Sequence, residues 1–175
     1  MTELKIFQKQ NLDPSRKFKE ASIIAQRLLE ALNEKSTLSL LLEANKPKAS
    51  SSLIQNCFLP VATSLGFKNE ARGLFENYAN KHLRPDYYLD LKDGCGILLE
   101  VERGKTTINN MDLLDFWKCH ICEHANFLFL LVPRELRQND LMSPRREYAT
   151  VCNRLHSFFV PSGYTNVDAA FVFGY

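Results

Sequence analysis

Residues 126–132 read NFLFLLV, and the last six of them are all apolar. Successive side chains of a strand point to opposite faces, so a strand built this way shows apolar groups on both. Such a strand is stable at the centre of a sheet, covered on each side by another layer. At this length it is far too short to span a bilayer. The rest of the chain must therefore supply neighbouring strands and amphipathic helices to cover them.

Tyr87 to Leu91 and Ile97 to Val101 are β-rich runs joined by Lys92-Asp93-Gly94-Cys95-Gly96, and Asp-Gly between two such runs is a strong hairpin signal. Asp168 to Phe173 reads as a last strand. Helical spacing appears from Pro14 to Asn33, where Phe18, Ala21, Ile24, Ala25, Leu28, Leu29 and Leu32 recur three and four apart. Ser36-Thr37 opens a short helix through Leu42. The loop NKPKASSS at 45–52 precedes a helix from Leu53 to Leu65, with a kink or break at Pro60. A helix is expected from Asn69 to His82, with Ala71, Leu74, Phe75 and Tyr78 on one face. Another starts at an Asn109 cap, with Asp112 three residues on, and runs to Glu123. A further helix spans Arg145 to Phe159.

The expected fold class is α/β, an α-β-β-α-β-α-β core over residues 67–175 with a mixed central sheet flanked by helices. A helical N-terminal segment, residues 1–66, precedes it within one domain, which suits 175 residues. Hydrophobic residues at 45% and charged residues at 24% are the proportions of a soluble globular protein. The N-terminus is charged and lacks the apolar run of a signal peptide, so a cytoplasmic protein is expected. The odd number of cysteines (Cys57, Cys95, Cys119, Cys122 and Cys152) argues against a secreted disulfide framework. Net charge is only +2, but Arg134, Arg137, Arg145, Arg146 and Arg154 crowd the C-terminal third, and Lys46 and Lys48 lie in the loop. Such patches can neutralise phosphates or simply form a solvated face.

The chemistry concentrates in residues 84–105, RPDYYLDLKDGCGILLEVERGK. Strand alternation puts Leu98, Glu100 and Glu102 on one face and Leu99 and Val101 on the other. The hairpin returns the second strand beside the first, which starts at Asp86, so Asp86, Glu100 and Glu102 converge at one end of the sheet. Three carboxylates so close repel one another and hold protons unless a cation joins them. Hard oxygen ligands suit Mg²⁺ or Mn²⁺, which can polarise a phosphodiester and activate water. The competing reading is the charged end of an ordinary strand.

Pro85-Asp86 followed by Glu100-Val101-Glu102 on this framework resembles the PD-(D/E)XK nuclease superfamily, the restriction endonuclease-like proteins, over residues from about 69 to 175. The resemblance implies a metal-dependent DNA endonuclease, with Mg²⁺ or Mn²⁺ held by Asp86, Glu100 and the Val101 carbonyl. The family's third motif position is usually Lys. Here it is Glu102, as in BamHI-type enzymes, which leaves it as metal ligand or as general base for the attacking water. A migrated lysine has two candidates: Lys105, just past the strand, and Lys118, about a quarter-turn from the centre of the apolar face Leu114, Trp117 and Ile121. Family members often add an acid from the preceding helix, for which Glu70 is the candidate. Arg103, Arg145 and Arg146 are candidate phosphate contacts to DNA. One site per subunit cuts one strand, so double-strand cleavage calls for a homodimer. The absent motif Lys keeps two alternatives open: a catalytically degenerate DNA-binding protein of the same fold, serving plasmid replication or transposition, and a structure-specific resolvase or repair nuclease.

Other constellations find less support in their spacing. Cys119-His120-Ile121-Cys122-Glu123-His124 lacks the second ligand pair of a structural zinc site, and an iron–sulfur cluster would need four of five scattered cysteines to converge. Gly104-Lys105-Thr106 has Leu99 where a P-loop needs glycine, and no G-x-S-x-G elbow occurs.

Overall fold

A computed structural model describes residues 1–10, 16–46, 51–69, 73–104, 106–137 and 143–175. In chain order they form β1 (Glu3–Gln8), α1 (Arg16–Asn33), α2 (Lys35–Ala44), α3 (Ser51–Ser64), β2 (Lys68–Asn69), β3 (Tyr87–Lys92), β4 (Cys95–Val101), α4 (Met111–Ile121), β5 (Phe127–Val132), α5 (Glu147–His156) and β6 (Ala169–Gly174). The strands make one mixed 6-stranded sheet in the order β1-β6-β5-β4-β3-β2. β4, β5 and β6 are parallel, which requires crossovers, and α4 and α5 provide them. β3 pairs antiparallel with β4, and β1 antiparallel with β6.

β5 lies inside the sheet and all its residues are buried, as the NFLFLLV run demands. Phe127, Phe129 and Leu131 join Leu99, Val101, Phe171 and Phe173 in a core closed by Leu28 and Leu32 of α1, Leu41 of α2 and Ile54 and Phe58 of α3. Leu128, Leu130 and Val132 join Leu98, Ala170 and Val172 in a second core, closed by Phe116 and Cys119 of α4 and Val151 and Leu155 of α5. Each fully buried Leu or Phe contributes about 2 kcal/mol, so the two cores hold β4 rigidly between them. The hairpin turns at Asp93 and Gly94, with φ of 56° and 69°, and Lys92 pairs with Cys95. Two successive left-handed residues are what a two-residue type I′ turn requires, hence Asp-Gly.

Three expected elements differ. The N-terminal segment is not wholly helical: Glu3–Gln8 pairs with β6 from Glu3↔Gly174 to Gln8↔Ala169. As an edge strand with only Phe7 buried among these six, it lacks the apolar signal of the inner strands. The helix expected from Asn69 to His82 is absent among the described residues: Lys68–Asn69 pairs with β3, and 73–82 are turns. Gly73 at φ +87° is in the left-handed region, where an α-helix does not propagate. Phe75 and Tyr78 still pack together, ring centroids 5.2 Å apart, so their spacing marked burial without marking a helix. α3 runs through Pro60 without ending there. No helix among the described residues is long and apolar enough to cross a membrane.

Candidate active site

The β3–β4 register, Tyr87↔Leu99, continues to set Asp86 opposite Glu100. The Asp86 N–H donates to Glu100 Oε2 at 3.1 Å, and the Val101 N–H donates to Asp86 Oδ2 at 2.9 Å. Each carboxylate is thus oriented by the backbone of the other strand. Gln55 of α3 adds a longer bond, Nε2 to Asp86 Oδ1 at 3.4 Å. In a strand the N–H and C=O of one residue lie on the same edge, so the Val101 carbonyl faces the β3 side too. The residue opposite is Pro85, which has no N–H to offer it. Proline before Asp86 therefore ends the ladder where an acceptor is left for something else.

α4 closes the site from above the sheet. Lys118 Nζ lies 2.5 Å from Glu100 Oε1 and 2.8 Å from Asp115 Oδ1. Glu100, Asp115 and Lys118 are 3%, 1% and 7% exposed. The face of α4 that meets the sheet carries Asp112, Asp115, Phe116, Lys118 and Cys119, while Leu114 and Trp117 are 39% and 43% exposed. Of the expected inward face, Ile121 does pack against the second core, whereas Leu114 and Trp117 turn outward: charge pairing brings Asp115 and Lys118 inward beside Phe116 and Cys119. The expected Asn109–Asp112 cap does not form. Asn110 precedes the helix at φ 55° without a side-chain cap, and fully buried Asp112 accepts from Arg154 Nη1 at 3.1 Å.

Glu102 extends β4 by one pairing, its N–H donating to the Leu131 carbonyl at 2.8 Å. Its carboxyl accepts from Thr106 Oγ1 at 3.3 Å and faces Asp115 closely enough to share a proton. Tyr175 Oη donates to the Glu102 carbonyl at 2.7 Å, fixing the backbone there.

Four acids around one ammonium cannot all be ionised cheaply. Burial, then Asp115 and Asp86, push Glu102 up to about 8. Burial first, then Asp115, raise Glu100 well above the carboxylate range, with Lys118 opposing. Asp115 is raised by burial against the pull of Lys118. Burial alone would lower Lys118, but Glu100 and Asp115 outweigh it and keep the amine charged. Burial and mutual repulsion thus disfavour ionising all these carboxyls together, while Lys118 stays charged and Glu102 and Asp115 lie close enough to share a proton.

An open cleft of about 490 Å³ runs over these groups, lined also by Gln55, Arg103, Gly104, Asn109 and Met111. Among the described residues no three His, Cys, Asp or Glu side chains are arranged to enclose a metal. The donors that could hold one are two carboxylates, Asp86 and Glu100, with the Val101 carbonyl. Such an open oxygen set fits Mg²⁺ or Mn²⁺, since Mg²⁺ usually keeps several waters, and would not suit a structural zinc.

Asp86, Glu100, Val101, Glu102 and Lys118 are brought together. Glu70 and Lys105 lie outside the described residues. Arg103 lines the cleft and donates from Nη2 to the Lys46 carbonyl at 2.6 Å. Arg145 is committed to Thr107 Oγ1 at 2.8 Å and to an ion pair with buried Glu147, so it is not an open phosphate contact. Arg146 is exposed, and it borders a separate hollow with Tyr148 and Ala149. Cys119 and Cys122 are buried free thiols, and His120 Nδ1 receives the Asn166 N–H at 3.1 Å. Asp115 and Gln55 were not expected from sequence. The available signal for Asp115 was its place one turn before Lys118.

No family model matches the chain, and no curated protein matches it. A search of solved structures finds the crystal structure of restriction endonuclease BglII complexed with a DNA 16-mer, at a TM-score of 0.52 and 12% identity, covering 99% of this chain and 77% of that one. The chain is thus similar in fold to a restriction endonuclease, an α/β architecture with a mixed central sheet.

Proposed function

We propose that the chain is a Mg²⁺- or Mn²⁺-dependent DNA endonuclease of the cytoplasm, working as a homodimer where both strands are cut. The observation that carries this reading is Lys118, buried between Glu100 and Asp115. It brings to the acids the cationic group that the motif position occupied by Glu102 lacks, which favours catalysis over a degenerate DNA-binding role. Likeness in fold to an endonuclease solved with DNA supports a DNA substrate.

Asp86 and Glu100, with the Val101 carbonyl, would hold the ion. When bound, the ion supplies Lewis acidity toward the phosphate and toward water. Glu102, its carboxyl set between Thr106 and Asp115, would orient the attacking water and, in its ionised form, take its proton. Lys118 offsets charge developing on the phosphate. Arg103 at the cleft and exposed Arg146 steer the backbone, with Arg145 instead holding the loop after β4.

The test is calorimetric titration of Mg²⁺ or Mn²⁺ into the wild type and Asp86→Asn, beside nicking of supercoiled plasmid. Binding and nicking that both vanish in the variant are expected. Metal binding without nicking of any DNA form would favour the non-catalytic DNA-binding protein, and no binding even with DNA present would return the acids to being a charged strand end.

A further inference from the structure

We propose that Lys118 is the resident cation of this site, neutralising Glu100 until a divalent ion takes that carboxylate, while Asp115 keeps the displaced ammonium at the cleft. The inference rests on the metal-dependent reading above. Glu100 Oε2 already accepts the Asp86 N–H, so Oε1 is the oxygen with more acceptor capacity left for an ion. That oxygen is buried, and its partner is the Lys118 ammonium, 2.5 Å away. A second cation cannot join at that distance without strong repulsion, so ion entry and the Lys118–Glu100 contact exclude each other.

Asp115 makes the exchange possible without losing the lysine. It is one turn before Lys118 on the same helix, and its Oδ1 is 2.8 Å from Nζ. The ammonium is the cation paired with Asp115, whose carboxyl otherwise meets the Glu102 carboxyl. The flexible four-carbon stem of lysine lets Nζ swing from Glu100 while staying against Asp115. The released ammonium then lies beside the position of the substrate phosphate. Asp115 is in this sense a positioning residue, acting through Lys118.

The experiment is Mn²⁺ titration by calorimetry, without DNA, on the full chain and Lys118→Met. Removing a like charge from the immediate surroundings of an ion, at an effective dielectric near 20, is worth more than about tenfold in affinity. The variant should therefore bind Mn²⁺ at least about tenfold more tightly than the wild type. Because Lys118→Met strands two buried carboxylates and can fail to fold, the second comparison is Asp115→Asn against Lys118→Met/Asp115→Asn, where the double variant should again bind more tightly. Equal or weaker binding on loss of Lys118 overturns the proposal. If the wild type binds Mn²⁺ and Asp86→Asn does not, that failure leaves the nuclease reading standing. If no variant binds Mn²⁺, both fall.

Discussion

Glu102→Gln should flatten the dependence of stability on pH. In the folded chain burial, Asp115 and Asp86 push the Glu102 carboxyl up to about 8, against 4.5 for an unperturbed glutamate. Between those values the folded protein keeps a proton that the unfolded chain has released. Raising the pH therefore favours unfolding, starting near the unfolded value and finishing as the pH passes the folded one. A full differential proton changes stability by about 1.4 kcal/mol per pH unit, so a window of about 3.5 units sets a ceiling near 5 kcal/mol. Glu102 is only partly buried and shares its proton with Asp115, and solvent screening of a partly exposed group reduces the expectation to about 2 kcal/mol. The Gln amide can still donate toward Asp115, as the protonated acid does, but never ionises. Urea unfolding of both proteins at pH 5, 6.5 and 8, with chelator present, measures the difference directly. Near-equal stability at pH 5 and a Gln variant more stable by about 2 kcal/mol at pH 8 are expected. Parallel curves, or a variant that is less stable at pH 8, would refute the proton shared across Glu102 and Asp115.

Two further substitutions probe the frame around the site. Arg154→Met leaves Asp112, which is 0% exposed, without its cation and should cost about 3 kcal/mol in urea unfolding at pH 7. The penalty should shrink in acid, because burial already raises the Asp112 carboxyl and protonation removes the stranded charge. Gly96→Ala should lower the thermal midpoint and cost at least about 2 kcal/mol, since its Cβ would stand 2.5 Å from the His124 carbonyl oxygen and 2.6 Å from the Tyr88 ring. An unchanged midpoint would mean that the hairpin moves freely against β5.

The acids were legible in the sequence because a strand has an unambiguous period. Once Ile97 to Val101 is a strand, Glu100 and Glu102 must share a face with Leu98, and the Asp-Gly turn fixes what lies opposite. α4 was harder. Leu114, Trp117 and Ile121 make a consistent apolar row, which set Lys118 a quarter-turn from its centre and gave no reason to turn Asp112 and Asp115 inward. The opposite orientation follows only once partners from elsewhere are known: Arg154 from α5 for Asp112, and Glu100 from β4 for Lys118. Long-range pairing carries no local period. The same holds for β1, whose partner β6 is at the far end of the chain.

Glu100 sits beside Leu130 of β5, with Leu98 before it on the same face. A leucine at 100 would extend that core and add about 2 kcal/mol. The chain instead buries a carboxylate there and surrounds it with Asp86 just before β3, Asp115 and Lys118 from α4, and Glu102. Buried ion pairs commonly do no better than the apolar groups they replace, so stability alone gives no reason to keep five such groups together. What the arrangement secures is position. Asp86 and Glu100 are each held by a backbone N–H of the opposite strand, on a hairpin locked between two apolar cores. Lys118 is held by a helix whose orientation depends on it. Groups fixed this way before any ligand arrives need little reorganisation when charge develops on a substrate, and preorganisation of that kind is the usual gain for which a fold gives up stability.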